Sequence, residues 1–102
     1  MPFLDEAIHL PAVLASLRAQ TIDPARVRLV AVDNGSSDAG PALVANWIAE
    51  GPADGLLVRD PIRSIPHALN VGLAHAAPED IVVRLDAHTL YDERYLETIA
   101  TA

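Results

Sequence analysis

Three short apolar runs rich in β-branched residues, Val27–Val32, Leu56–Val58 and Ile81–Leu85, punctuate the chain, with helical periodicity before, between and after them. That alternation leaves few architectures open. The first run is interrupted only by Arg28, and continuous rather than alternate apolarity marks a strand buried on both faces, as in parallel sheets. Parallel neighbours need a long crossover, usually a helix, and the intervening stretches supply one each time. The predicted order is helix, strand, helix, strand, helix, strand, helix. It specifies an α/β fold: a three-layer, Rossmann-like parallel sheet with right-handed crossovers.

Leu10, Val13, Leu14 and Leu17 take the spacing of a helix with one buried stripe, predicted from His9 to Gln20 with Pro11 in its first turn. A strand follows from Val27 to Asp33, then a helix from Pro41 to Glu50 carrying Leu43, Val44, Trp47 and Ile48, with Gly51 as its stop. Gly55–Arg59 is the next strand, and Pro66–Ala76 the next helix, with Leu69, Leu73 and Ala76 on one face. The strand from Ile81 ends at Asp86-Ala87-His88. A last helix bears Tyr95, Leu96 and Ile99, with Asp92 as its N-cap.

Composition removes several classes of function. Fourteen acidic residues outnumber seven basic ones, all arginine, for a formal charge of −7. Without a basic cluster there is no footprint for nucleic acid and no polybasic anchor for a membrane surface. Cysteine is absent, which excludes disulfides, a thiol nucleophile and thiolate metal sites. No apolar segment approaches the ~20 residues of a spanning helix, and no signal peptide is evident. The expectation is one domain, residues 1–102, soluble and cytoplasmic. GxGxxG, GxxxxGK[ST] and G-x-S-x-G are all missing, so the common dinucleotide, NTPase and hydrolase readings fall away.

Polar residues gather where the strands stop. Side chains two apart on a strand point the same way, so Asp86 and His88 are expected to face one side together, at the edge where open α/β sheets bind ligands. Carboxylate and imidazole both ligate divalent ions such as Mn²⁺; the plainer alternative is a polar turn capped by Asp86. At Asp33-Asn34-Gly35-Ser36-Ser37-Asp38, Asp33 is the candidate to accept hydrogen bonds from a base or ribose, whereas Asp38 reads as a helix cap. In Arg63–Gly72, an arginine near a helix N-terminus suits a diphosphate, and Asn70 and Gly72 are poor helix formers that close packing or a ligand would explain. A solvated arginine and a tightly packed helix remain open there. His9, His67 and His75 have no partner at recognisable metal spacing and read as surface or half-buried histidines.

Taken in order, Pro2-Phe3-Leu4-Asp5-Glu6, Val32-Asp33-Asn34-Gly35-Ser36-Ser37-Asp38, Ala68-Leu69-Asn70-Val71-Gly72 and Val83-Arg84-Leu85-Asp86-Ala87-His88 resemble the family 2 inverting glycosyltransferases. The Asp-Ala-His ending is similar to the variant in bacterial exopolysaccharide (succinoglycan-type) glycosyltransferases, where the usual motif is Asp-x-Asp. The resemblance implies the donor-binding half of a GT-A fold, transferring sugar from a nucleotide-diphosphate sugar to a glycan or lipid-linked acceptor in polysaccharide biosynthesis. It implies that Glu6, Asp33, Arg63, Asn70 and Asp86 contact the nucleotide-sugar, and that Asp86 and His88 hold Mn²⁺ or Mg²⁺ against its diphosphate. No residue matches a general base for the acceptor, so no catalytic residue is assigned and activity of the fragment alone is doubtful. As part of a longer enzyme, it would work at the inner face of the membrane. The family's first strand has no counterpart before Pro2, which implies a gap in the middle of the sheet and self-association as one way to fill it. The alternative is a non-catalytic α/β module that binds a nucleotide or a protein.

Overall fold

The computed structural model describes all 102 residues. Its elements are β1 (Pro2–Phe3), α1 (Leu10–Arg18), a 3₁₀ turn (Pro24–Arg26), β2 (Arg28–Asp33), α2 (Gly40–Glu50), β3 (Asp54–Arg59), α3 (Ile65–Leu73) and α4 (Tyr95–Thr101). The strands form one parallel sheet in the order β1-β2-β3. β2 lies at its centre, with Asp33 opposite both Phe3 and Arg59. All three strands therefore release their chain at the same margin.

Side chains of β2 alternate between two covered faces. Leu29 and Ala31 join Leu10, Leu14, Val44 and Trp47 in the main core, under α1 and α2. Val30 and Val32 face α3, where a Cβ placed on Gly72 would stand 3.7 Å from Val32 Cγ2. Helices on both sides make the three layers that continuous apolarity predicts. Trp47 fastens α2 to α1: its indole Nε1–H donates to the Leu14 carbonyl at 3.0 Å, and the Arg18 guanidinium lies 5.2 Å from the ring centroid. The space beside Gly72 is ordinary contact, so tight packing does not require that glycine. At Gly55 it does: an added Cβ would meet Ile48 Cγ1 at 2.7 Å.

Two sequence expectations are corrected. The opening stretch itself supplies a two-residue strand, with none before Pro2, as expected of an incomplete sheet; Pro2 pairs with Val32, and the Met1 ammonium donates to the Val30 carbonyl at 2.9 Å. Ile81–Leu85 is not a strand. β1 is too short to offer it an edge, and a strand exists only by pairing; Ile81 and Val82 are 66% and 55% exposed. The last helix begins at Tyr95, because Asp92 closes a turn instead, its Oδ1 accepting from the Arg94 N–H at 2.9 Å. That region is nonetheless fixed to the end of α1. Gln20 donates to the Asp92 carbonyl and accepts from the Leu96 N–H, while the Thr21 N–H donates to the Glu93 carbonyl. No helix is long and apolar enough to cross a membrane.

Candidate functional site at the carboxyl margin of the sheet

The loops that leave β1, β2 and β3 are stitched together by short polar side chains. Asp5, whose φ of +52° starts the turn after β1, accepts from the Ser37 N–H at 2.7 Å, and its own N–H donates to Ser36 Oγ. Asp38 accepts from Ala7 N–H through one oxygen and from Gly40 N–H, at the start of α2, through the other. That is the capping role its position predicts, and it also locks two loops together. Asp33 is buried; its Oδ1 accepts from the N–H groups of Gly35 and Ser36. Gly35, at φ +98°, makes the tight turn possible. Asn34 Nδ2 donates to the carbonyls of Asp60 and Ile62, joining the end of β2 to the end of β3.

Two contacts were not visible in the sequence. Asp60, also buried, accepts from the Ile62 N–H and lies 2.6 Å from His67 Nδ1, in the first turn of α3. Ser64 caps that helix by accepting from the His67 N–H. Glu6 is held by two histidines, with His9 Nδ1 at 2.8 Å and His88 Nδ1 at 3.4 Å. The His9 and His88 rings meet edge to face, centroids 6.1 Å apart. His9, His67 and His75 are exposed; the first two each meet a carboxylate, and His75 contributes only its backbone carbonyl, to Arg28. The missed signal was Asp60 itself, a carboxylate ending an apolar run just as Asp33 does.

The structure brings Glu6 and His88 into contact and ties the Glu6 loop to the Asp33 loop. Asp86 and His88 are both exposed, with Leu85 and Ala87 buried on either side of Asp86, so they share an outward side although no ladder holds them. The Asp86 N–H donates to the Tyr91 hydroxyl at 2.7 Å, and Tyr91 stacks on Tyr95, which relates this turn to α4. Arg63 lies exposed in the loop after β3, without an ion pair. Asn70, exposed in the second turn of α3, makes no side-chain hydrogen bond. The structure joins neither to the other candidates.

No group of three or more histidine, aspartate or glutamate side chains converges with metal-binding geometry. An ion at Asp86 and His88 would have two protein ligands and need the rest of its shell from elsewhere. That suits Mg²⁺ and Mn²⁺, which commonly take phosphate oxygens and water alongside one or two protein groups. Asp5, Glu6, Asp33, Asp38, Asp60 and Asp86 make the margin strongly acidic, and an anion approaching it needs a cation with it. The cavities of about 520 and 720 Å³ lie elsewhere, in the α1–α2 groove and beside β2.

The family model for glycosyl transferase family 2 matches residues 1–102. Over 100 residues the chain is 33% identical to the succinoglycan biosynthesis protein ExoA of Rhizobium meliloti (strain 1021), covering 97% of this chain and 30% of that protein. Among solved structures, the mannosyltransferase PcManGT from Pyrobaculum calidifontis in complex with GDP-Man and Mn²⁺ superposes with a TM-score of 0.68 at 31% identity, over 74% of this chain and 23% of that one. S. aureus TarS 1–349 gives a TM-score of 0.87 at 20% identity, over 98% of this chain and 29% of that one, a likeness of fold alone. The chain spans less than a third of the length of each of these relatives.

Proposed function

The chain belongs to glycosyl transferase family 2, and from that premise we propose that its carboxyl margin binds a nucleotide-diphosphate sugar as the donor-binding part of a polysaccharide-building glycosyltransferase. The observation that carries this reading is the meeting of Glu6 with His88 beside the Asp33 loop, on a chain that the family model spans throughout. Asp33 and Glu6 are assigned to the nucleoside, Asp86 and His88 to Mn²⁺ or Mg²⁺, and the unpaired Arg63 to a phosphate. Asn70 is retained as a weaker donor contact. PcManGT, solved with GDP-Man and Mn²⁺, supports a metal-assisted site.

Electrostatics gives the division of labour. Six carboxylates repel a diphosphate, and a divalent ion at Asp86 and His88 would reverse that, offsetting charge on the departing nucleotide diphosphate. Asp33 spends one oxygen on the Gly35 and Ser36 N–H groups, which fixes the orientation of the other. We assign donor binding rather than complete transfer to these 102 residues. The setting we infer is cytoplasmic, at the inner face of the membrane when the chain is part of a longer enzyme.

Isothermal titration with UDP- and GDP-sugars, with and without Mn²⁺, tests the proposal. The expected result is Mn²⁺-dependent binding that falls at least tenfold in Asp86→Asn and in His88→Ala. A folded chain that binds no nucleotide-sugar, with or without metal, would overturn it.

A further inference from the structure

The turn that carries Asp86 and His88 is located by side chains rather than by a ladder. From Ile81 to Tyr91 no backbone group bonds to another backbone group. Two N–H groups of this stretch find acceptors, and both bonds run through Tyr91. Its hydroxyl accepts from the Asp86 N–H at 2.7 Å, and its own N–H donates to Ser16 Oγ at 3.3 Å. Where Tyr91 stands therefore decides where the backbone at Asp86 stands.

Tyr91 is set by the far half of α1. Ser16 gives its own hydroxyl proton to the Val13 carbonyl at 2.7 Å, which leaves the oxygen free to accept. One turn on, Gln20 spends its whole amide. Nε2 donates to the Ser16 carbonyl at 3.2 Å and to the Asp92 carbonyl, next to Tyr91, at 2.7 Å. Oε1 accepts at 3.0 Å from the Leu96 N–H, one of the donors that the start of α4 leaves unbonded. At the other end of the helix its N-cap residue, His9, shares Glu6 with His88. His9 and Ser16 are seven residues apart, two turns along one face. The helix itself is anchored in the core by Leu10, Val13 and Leu14. Two groups that must meet one ion bind it more tightly when their geometry is set beforehand, because ordering a loop at the moment of binding costs affinity.

We propose that Ser16 and Gln20 are positioning residues of the metal site: through Tyr91 and Asp92 they hold the Asp86–His88 turn in the conformation that receives the ion. The inference rests on the assignment of Asp86 and His88 to Mn²⁺ or Mg²⁺, and it extends that site to two uncharged side chains that bond neither residue. Bonds that served only to fasten α4 to α1 would contribute to stability and leave metal affinity alone.

The test compares Ser16→Ala, Ser16→Thr and Gln20→Met in the full chain. All three conserve net charge, so the long-range field at the turn is the same, and threonine keeps a hydroxyl that bonds back to the preceding turn. Mn²⁺ alone is titrated and read by electron paramagnetic resonance, and amide hydrogen exchange at Asp86 is followed by NMR. Ser16→Ala and Gln20→Met are expected to speed that exchange and to weaken Mn²⁺ binding by roughly three- to tenfold, less than the about 10- to 100-fold lost with a group that bonds a metal ligand directly. Ser16→Thr is expected to restore both readouts. Gly55→Ala, whose new Cβ meets Ile48, is expected to lose stability and leave both readouts as in the wild type. Folded Ser16→Ala and Gln20→Met chains that bind Mn²⁺ as the wild type does would overturn this proposal alone. So would an equal loss in Gly55→Ala, which would reduce the effect to general stability. A wild-type chain that binds no Mn²⁺ would overturn it together with the metal assignment.

Discussion

Burial of the chain's first amino group makes a quantitative prediction about stability. The Met1 ammonium donates to the Val30 carbonyl at 2.9 Å inside the sheet edge. Loss of hydration, with repulsion from the Arg84 guanidinium added and Asp86 opposing, lowers its pKa from 8.0 to about 6. The group is a base whose folded value lies below its unfolded one, so between about pH 6 and 8 the unfolded chain holds more protons. Stability therefore rises with pH across that window: the penalty is complete below about 6 and gone above about 8. Two pKa units correspond to about 2 to 3 kcal/mol, an upper bound for a group not wholly removed from water. Acetylating Met1 removes the charge yet keeps an N–H for Val30. The assay is urea denaturation of free and acetylated chains, both retaining Met1, across this pH range. All side chains are common to the two chains and cancel in the difference. The acetylated chain's advantage should shrink by about 2 kcal/mol from pH 6 to pH 8; a difference that stays constant would refute the account of the buried ammonium.

Other substitutions test the fold and the margin. Gly72→Ala should raise stability by about 0.5 to 1 kcal/mol in thermal or urea unfolding, since a methyl group meets only ordinary contacts there and alanine favours the helix. Gly55→Ala should cost about 1 to 3 kcal/mol by the same measurement, because the new Cβ collides with Ile48. Asp60→Ala should cost about 1 to 3 kcal/mol, and NMR should show the His67 ring released from its fixed orientation. Tyr91→Phe should leave the global unfolding midpoint nearly unchanged but speed amide exchange at Asp86, whose N–H loses its acceptor, and weaken Mn²⁺ binding several-fold as read by electron paramagnetic resonance.

Local patterns were legible where the signal and the cause coincide. Leu10, Val13 and Leu14 are buried as their spacing requires, and β2 is covered on both faces as its continuous apolarity implies. Pro11 lies in the first turn of α1, where its missing N–H costs nothing. Ile81–Leu85 was misread because an apolar run reports a tendency to leave water, whereas a strand needs a neighbour's backbone. That neighbour is a property of the sheet, not of the run. The histidine contacts went unread for a related reason: His88 and Glu6 lie 82 positions apart, and nothing in either local sequence announces that they touch.

The loops after the three strands owe their shape to aspartates. Asp5 and Asp38 each accept a backbone N–H from a neighbouring loop, Asp33 and Asp60 each accept one from their own turn, and each does so with a reach of one methylene. Exchange for glutamate would conserve every formal charge and still rebuild the rim, because the carboxylate would overshoot its amide. Reach and charge are separable variables here. Variants that alter one while conserving the other would tell whether the rim selects its guest by contour or by sign.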